Sequence, residues 1–249
     1  SKFDLYGFYF GDKKEESDHY YLRIKKAFKK FYHVSNLSDS EIISLSKNLN
    51  IDIAVDLMAH TGSVQDVSRF GVFHNKCAPI QINFLGYPGT SASKNIDYII
   101  ADKTVIPEKN KKFFSEKIIF LPYSYQPSER IRNLSEKKIT KEELCLPENE
   151  FVFCCFNNNK KILPNIVKLW AEILNQIPRS VMWLISTNKN AEKNLKKEFE
   201  NKNIDPKRVI FCNQVPISEH LVRIRYADLF LDTFPYNAHT SCSDSIWAG

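Results

Sequence analysis

The chain has 249 residues, 43% hydrophobic and 26% charged, an ordinary globular balance with room for one large domain or two medium ones. It contains no apolar run of about 18 residues, opens without a signal-peptide pattern, and its six cysteines include no Cys-x-x-Cys pair. No membrane span, secretory leader, zinc site or disulfide framework is therefore expected, and a reducing cytosol is the default. The net charge of +6 is spread over groups near residues 25–30, 109–112 and 193–197, each among acidic side chains. That reads as solvated faces rather than a nucleic-acid stripe, though it favours anionic ligands such as nucleotides.

In chain order, residues 3–10 read as a strand, and 20–31 as a helix with Leu22, Ala27 and Phe31 among lysines. A second helix follows over 38–49, with Ser38 and Glu41 spaced as a capping box. Strands are predicted over 51–57, 79–85, 97–101 and 117–121. Residues 124–147 are polar, charged and proline-flanked, with one short helix near 140–144. The alternation then resumes with a strand over 151–156 and a helix over 163–176. That helix starts at Pro164 and presents Ile166, Leu169, Trp170, Ile173 and Leu174 on one face. Strands at 181–185, 209–212 and 229–231 alternate with helices near 191–201 and 218–226. The pattern predicts an α/β fold of two doubly wound halves, residues 1–128 and 148–249, joined by a link over 129–147. Both halves read as partly truncated, the first lacking its opening strand and the second its closing part.

Four loops carry residues suited to chemistry. Leu85-Gly86-Tyr87-Pro88-Gly89-Thr90-Ser91 follows a strand, and two of the chain's seven glycines lie in it. The glycines permit close backbone approach, although Pro-Gly is also a common turn. Phe156-Asn157-Asn158-Asn159-Lys160-Lys161 joins a strand to a helix, where α/β sheets hold ligands. A lysine there can neutralise a diphosphate, yet a plain polar loop fits as well. Asn237-Ala238-His239-Thr240-Ser241-Cys242-Ser243-Asp244 follows a strand and opens a helix, so it reads as an anion site or as simple capping by Thr240 or Ser241. Asp244, one turn further in, can accept sugar hydroxyls or merely complement the helix dipole. His220 and Arg223 sit three apart on one helix and share a face, either to meet a flat base or as ordinary surface.

The order of these motifs, with Asp244-x-x-Trp247-Ala248-Gly249 at the end, resembles the catalytic region of the O-linked N-acetylglucosamine transferases. That group includes the Spindly-type enzymes of plants and many bacterial proteins with tetratricopeptide repeats. Ala78-Pro79-Ile80-Gln81, residues 97–102, and Ala227-Asp228 leading to Leu231-Asp232-Thr233 extend the likeness over nearly the whole chain.

The resemblance implies two Rossmann-like halves of GT-B type with a sugar nucleotide in the cleft. It assigns Lys161 to the diphosphate and the departing UDP, and His239, Thr240 and Ser241 to a phosphate-binding helix start. Asp244 is matched to the ribose, His220 and Arg223 to uracil, and Asn158 to a position where the family often has glutamine. Gly86, Tyr87, Pro88, Gly89 and Thr90, with Tyr125 and Gln126, line the cleft from the first half. His60 and Arg69 match a His-Thr-then-Arg segment of bacterial members. The implied reaction is metal-independent, inverting transfer from a UDP-sugar, first of all UDP-N-acetylglucosamine, to Ser or Thr of a protein acceptor. No cofactor is implied, the UDP-sugar being a substrate. Transfer to a glycan, and a degenerate module that binds nucleotide without turnover, are the alternatives.

Overall fold

The computed structural model describes residues 2–11, 18–61 and 68–249. The chain divides into two compact units, Ser1–Pro127 and Ser128–Gly249.

The first unit opens with strand β1 (Tyr6–Tyr9), helix α1 (His19–Ala27) and strand β2 (Lys30–His33). The two strands form their own parallel pair, with Tyr6 opposite Lys30. The helix expected over 20–31 thus stops early. Phe31 and Tyr9, 5.7 Å apart, and Tyr21 and Phe31, edge to face at 5.6 Å, form an aromatic cluster that favours a pleated strand over another helical turn. Helix α2 (Asp39–Asn48) carries the expected capping box: Ser38 Oγ accepts from Glu41 N at 3.3 Å, and Glu41 accepts from Ser38 N at 2.8 Å. Strand β3 (Ile53–Asp56), the short helix α3 (Phe70–His74) and strands β4 (Ile80–Phe84), β5 (Tyr98–Ala101) and β6 (Lys117–Phe120) complete the unit. The four strands are parallel in the order β3-β4-β5-β6.

One face of this sheet packs inward. Ala54 joins Val34, Ile42 and Val72, and further along Ile99 and Ala101 meet Ile106 and Phe114. On the same face Gln81 is fully buried, accepting from Cys77 N and donating to Phe73 O and Asn95 O, so its amide is satisfied. The opposite face differs. Ile53, Val55, Ile80 and Ile119 fall on it by register, and each is exposed.

The second unit contains strand β7 (Phe151–Cys155), helix α4 (Pro164–Gln176), strand β8 (Ser180–Ile185), helix α5 (Lys189–Glu200), strand β9 (Val209–Cys212), helix α6 (Ile217–Arg223), strand β10 (Leu229–Phe230) and helix α7 (Thr240–Ala248). Its parallel sheet runs β10-β7-β8-β9. Alternation along the strands separates two cores. Phe153, Cys155, Met182 and Leu184 meet Trp170 and Leu174 of α4 and Phe199 of α5. Val152, Cys154, Val181 and Trp183 meet Leu146, Ile224 and Ala248 on the other side. The buried stripe of α4 is Ile166, Val167, Trp170, Ala171 and Leu174, whereas Leu169 is exposed. The stripe is thus turned by about one residue from the predicted face. The short helix expected near 140–144 is a hydrogen-bonded turn, closed by Leu144 N to Thr140 O at 3.2 Å.

Candidate functional site

The strand order of the second sheet fixes where a ligand fits. The chain runs β7, β8, β9 in one direction, then returns to place β10 on the far side of β7. The loops after β7 and β10 therefore diverge from neighbouring strands, which makes a topological switch point at the carboxyl edge. Both loops are held by one constellation. Asn157, buried at the end of β7, donates through Nδ2 to Asp232 Oδ1 at 3.2 Å and to Thr233 Oγ1 at 2.9 Å. Asp232 also accepts from the amides of Thr233 and Ala238, both at 2.7 Å, and from Asn237 Nδ2 at 3.0 Å. A carboxylate taking several N–H bonds fixes the 232–238 turn before α7 begins.

Lys161 reaches across this gap. Its Nζ donates to Asn237 O at 3.0 Å and lies 4.2 Å from the centre of the Tyr236 ring. Partial burial lowers its pKa from the ordinary lysine value, against the pull of Asp232 and Cys155. The His239 ring is 5.6 Å from that of Tyr236. Burial also lowers the His239 pKa, the Lys161 charge adds to the effect, and Asp232 opposes it. His239 occupies the cap position of α7 and its own side chain makes no capping bond to the helix, whose first turn carries Thr240 and Ser241. An incompletely hydrated ammonium and the positive end of a nine-residue helix thus sit together, an arrangement suited to a diphosphate. Asn158 is exposed and turns its Oδ1 to Lys160 N at 3.0 Å, capping the short 3₁₀ turn that carries Lys161.

A second cluster lies on the same edge. Arg223 is buried, and its Nε donates to His220 Nδ1 at 3.1 Å while its terminal nitrogen donates to Asn213 O at 2.6 Å. With Nδ1 accepting, the neutral ring carries its proton on Nε2. Burial pushes the His220 pKa down to about 4, the Arg223 charge acts in the same direction, and Asp244 opposes both. The His220 ring meets Phe156 edge to face at 5.1 Å. Residues 156 and 157 therefore join the two clusters. Arg223 is a buried support for His220 and the following loop, rather than an exposed partner on the same surface. Asp244 is also buried and ion-paired with Arg132.

In the first unit, His60, the 86–90 loop and the 121–126 segment follow strands of the β3–β6 sheet. His60 is 3.2 Å from Ser91 O through Nε2 and 5.5 Å from the Tyr87 ring. A Cβ at Gly86 would lie 2.3 Å from Leu57 O, so only glycine lets these two turns pass. One at Gly89 would meet the Tyr87 ring. Pro88 sits between them, and Asn83 Nδ2 reaches Tyr87 O at 3.3 Å. Thr90 donates to Glu116 at 2.7 Å, and Ser91 N does so at 2.6 Å. Burial raises the Glu116 pKa, but bonds from Ser91 and Thr90 prevail and hold it below its ordinary value. Tyr125 is buried, with its amide on Asp102 at 2.8 Å, and the amide of Gln126 bonds Ser124 Oγ. Arg69 binds Asp39 at 2.8 Å and Leu37 O at 2.6 Å, which ties α3 to the start of α2.

Motif reading did not single out Asn157, Asp232, Tyr236, Asn237 or Arg132 as site residues. A usable signal existed for two of them: an amide and a carboxylate directly following strands, at Asn157 and Asp232. Among the described residues, no three His, Cys, Asp or Glu side chains form a metal-binding group. No described helix is long and apolar enough to cross a membrane.

Glycosyl transferase family 41 matches the chain over residues 8–143 and 129–249. A probable UDP-N-acetylglucosamine–peptide N-acetylglucosaminyltransferase, SEC, of Arabidopsis thaliana is 32% identical over 233 residues, covering 91% of this chain and 23% of that protein. The UDP-N-acetylglucosamine–peptide N-acetylglucosaminyltransferase of Caenorhabditis elegans is 22% identical over 293 aligned residues, covering 73% of this chain and 26% of its own length. Among solved structures, a lysine-to-methionine mutant of the Thermobaculum terrenum O-GlcNAc transferase superimposes with a TM-score of 0.83 at 25% identity, covering 98% of this chain and 45% of that one. The chain spans about a quarter of the length of these curated relatives.

Proposed function

The chain belongs to glycosyl transferase family 41, and on that premise we propose that it carries the donor site of an enzyme that moves a sugar from a UDP-sugar, first of all UDP-N-acetylglucosamine, to Ser or Thr hydroxyls of a protein. The observation that carries this reading is the bond from Lys161 to Asn237 O, in the turn that leads into α7 at the switch point between β7 and β10. Breaking the bond between the sugar and UDP leaves its electron pair on the diphosphate. Lys161 and the helix start stabilise that growing charge in the transition state. Attack by the acceptor hydroxyl from the opposite face of the sugar inverts the anomeric centre. In this reading His220 and Arg223 serve the uracil end, Asp244 the ribose, Asn158 and His239 the phosphates, and no metal takes part. The first unit's His60, Arg69, 86–90 loop, Tyr125 and Gln126 serve the acceptor side. The same reading places the protein in a reducing cytosol, in keeping with six free cysteines.

Calorimetric titration of UDP at fixed salt tests the donor assignment. The chain is expected to bind UDP equally with or without a chelator. Lys161→Ala should weaken binding roughly 10–100-fold, the range of a lost charge-assisted bond. Unchanged affinity in the variant would refute the role of Lys161.

A further inference from the structure

Near the start of the second unit runs a strap, residues 129–139, within the link expected over 129–147. It is fastened at several points. Ser135 N donates to Ser218 O at 3.2 Å on α6. The Tyr226 hydroxyl donates to Ile139 O. Trp247 of α7 donates through Nε1 to Arg130 O at 3.3 Å. Between these ties lies Arg132. Its guanidinium donates to Oδ1 of Asp244, its Nε donates to Glu129 O at 3.3 Å, and its carbon lies 5.6 Å from the centre of the Trp247 indole. Arg132 and Asp244 side chains are only 12% and 8% exposed, so this is not a loose surface pair. A planar, stacked, bidentate-capable cation holds a carboxylate at a set angle, which a lysine does not.

Only one carboxylate oxygen is used. Among the described residues, Oδ2 of Asp244 has no protein hydrogen bond. Asp244 lies on α7, which packs against α6, the helix that carries His220 and Arg223. A carboxylate with one oxygen pinned and the other without a protein bond can accept from a hydroxyl pair. A ribose offers its 2′ and 3′ hydroxyls as such a pair.

We propose that Arg132 is a positioning residue for the nucleoside end of the donor site: it fixes Asp244 so that the open carboxylate oxygen accepts the ribose hydroxyls. This rests on the donor-site reading above. The strap is then part of the binding machinery of the second unit, and the affinity for ribose-bearing ligands depends on it.

The test is calorimetric titration of UDP and of 2′,3′-dideoxy-UDP into the chain, Arg132→Ala, Arg132→Lys and Asp244→Asn, with thermal melts as a check on folding. The parent should prefer UDP. Arg132→Ala should lose about tenfold in UDP affinity and keep its affinity for the dideoxy ligand within about twofold, so the preference collapses. Asp244→Asn should collapse it as well, and Arg132→Lys should restore part of it. A variant at Arg132 that weakens both ligands equally, or keeps the preference, overturns the proposal and leaves the donor reading intact. A parent that binds UDP without preference also overturns it. A parent that binds no UDP overturns the donor reading and this proposal together.

Discussion

The two parallel sheets have four strands each, and they are buried in different ways. The second is covered on both faces: Met182, Trp183 and Leu184 on its central strand are all fully buried, against α4 and α5 on one side and Leu146, Ile224 and Ala248 on the other. The first is packed on one face, while on the other Ile53, Val55, Ile80 and Ile119 are exposed and Ile82, Phe84, Tyr98 and Ile100 only half-buried. Parallel sheets ordinarily bury both faces. The difference teaches that the sheet is a rigid platform in the second unit, where the loops after β7 and β10 can be held to the tolerance that charge stabilisation needs. In the first unit order comes more from polar ties, such as Gln81 to three backbone groups and Glu116 to the 90–91 turn.

The largest effect expected from this comparison is on stability. Leu184→Ala should cost about 2–5 kcal/mol, while Ile80→Ala, on the exposed face, should cost under about 1 kcal/mol. Urea titration followed by tryptophan fluorescence suits the first measurement, because Trp170, Trp183 and Trp247 all lie in the second unit. Circular dichroism serves for the second. Comparable losses at both positions would break the distinction.

Acid should sharpen it. The His220 pKa is lowered from 6.5 to about 4, so below 6.5 the unfolded chain takes up a proton that the folded one refuses. Stability from this group is complete above pH 6.5 and is lost as the pH falls towards 4. The loss is about 2 kcal/mol after a discount for partial exposure. His239, also lowered, acts with the same sign. Glu116, one of three buried acids of the first unit, has a lowered pKa, so its contribution persists to lower pH and is lost only as the pH falls through and below the ordinary carboxylate range. The tryptophan-detected stability should therefore decline between pH 6.5 and 4, and His220→Gln should flatten most of that decline. An unchanged slope in the variant would show that His220 is not its source.

Much of this architecture was legible in the sequence, and the legible parts share a cause. The predicted strand over 181–185 lies within β8 because a fully buried central strand is an unbroken apolar run. The box at Ser38 and Glu41 was readable because both partners are local. Lys161 and His239 stood out because each follows a strand and precedes a helix. Residues 28–31 misled because Leu22, Ala27 and Phe31 among lysines imitate a helical stripe, while pairing of Lys30–His33 with β1 decides the outcome. Helix α3, at five residues, is too short to show a period. The site's scaffold was hidden for a different reason. Asn157 and Asp232 are 75 residues apart, Arg132 and Asp244 are 112 apart, and no local pattern joins such pairs.

The most direct test of the central claim, that the donor site lies on the carboxyl edge of the second sheet, is amide hydrogen exchange of this chain with and without UDP. We predict slowed exchange in residues 156–162, 217–223 and 232–244. Slowing confined to residues 1–127, with these three segments unchanged when UDP is bound, would contradict the account.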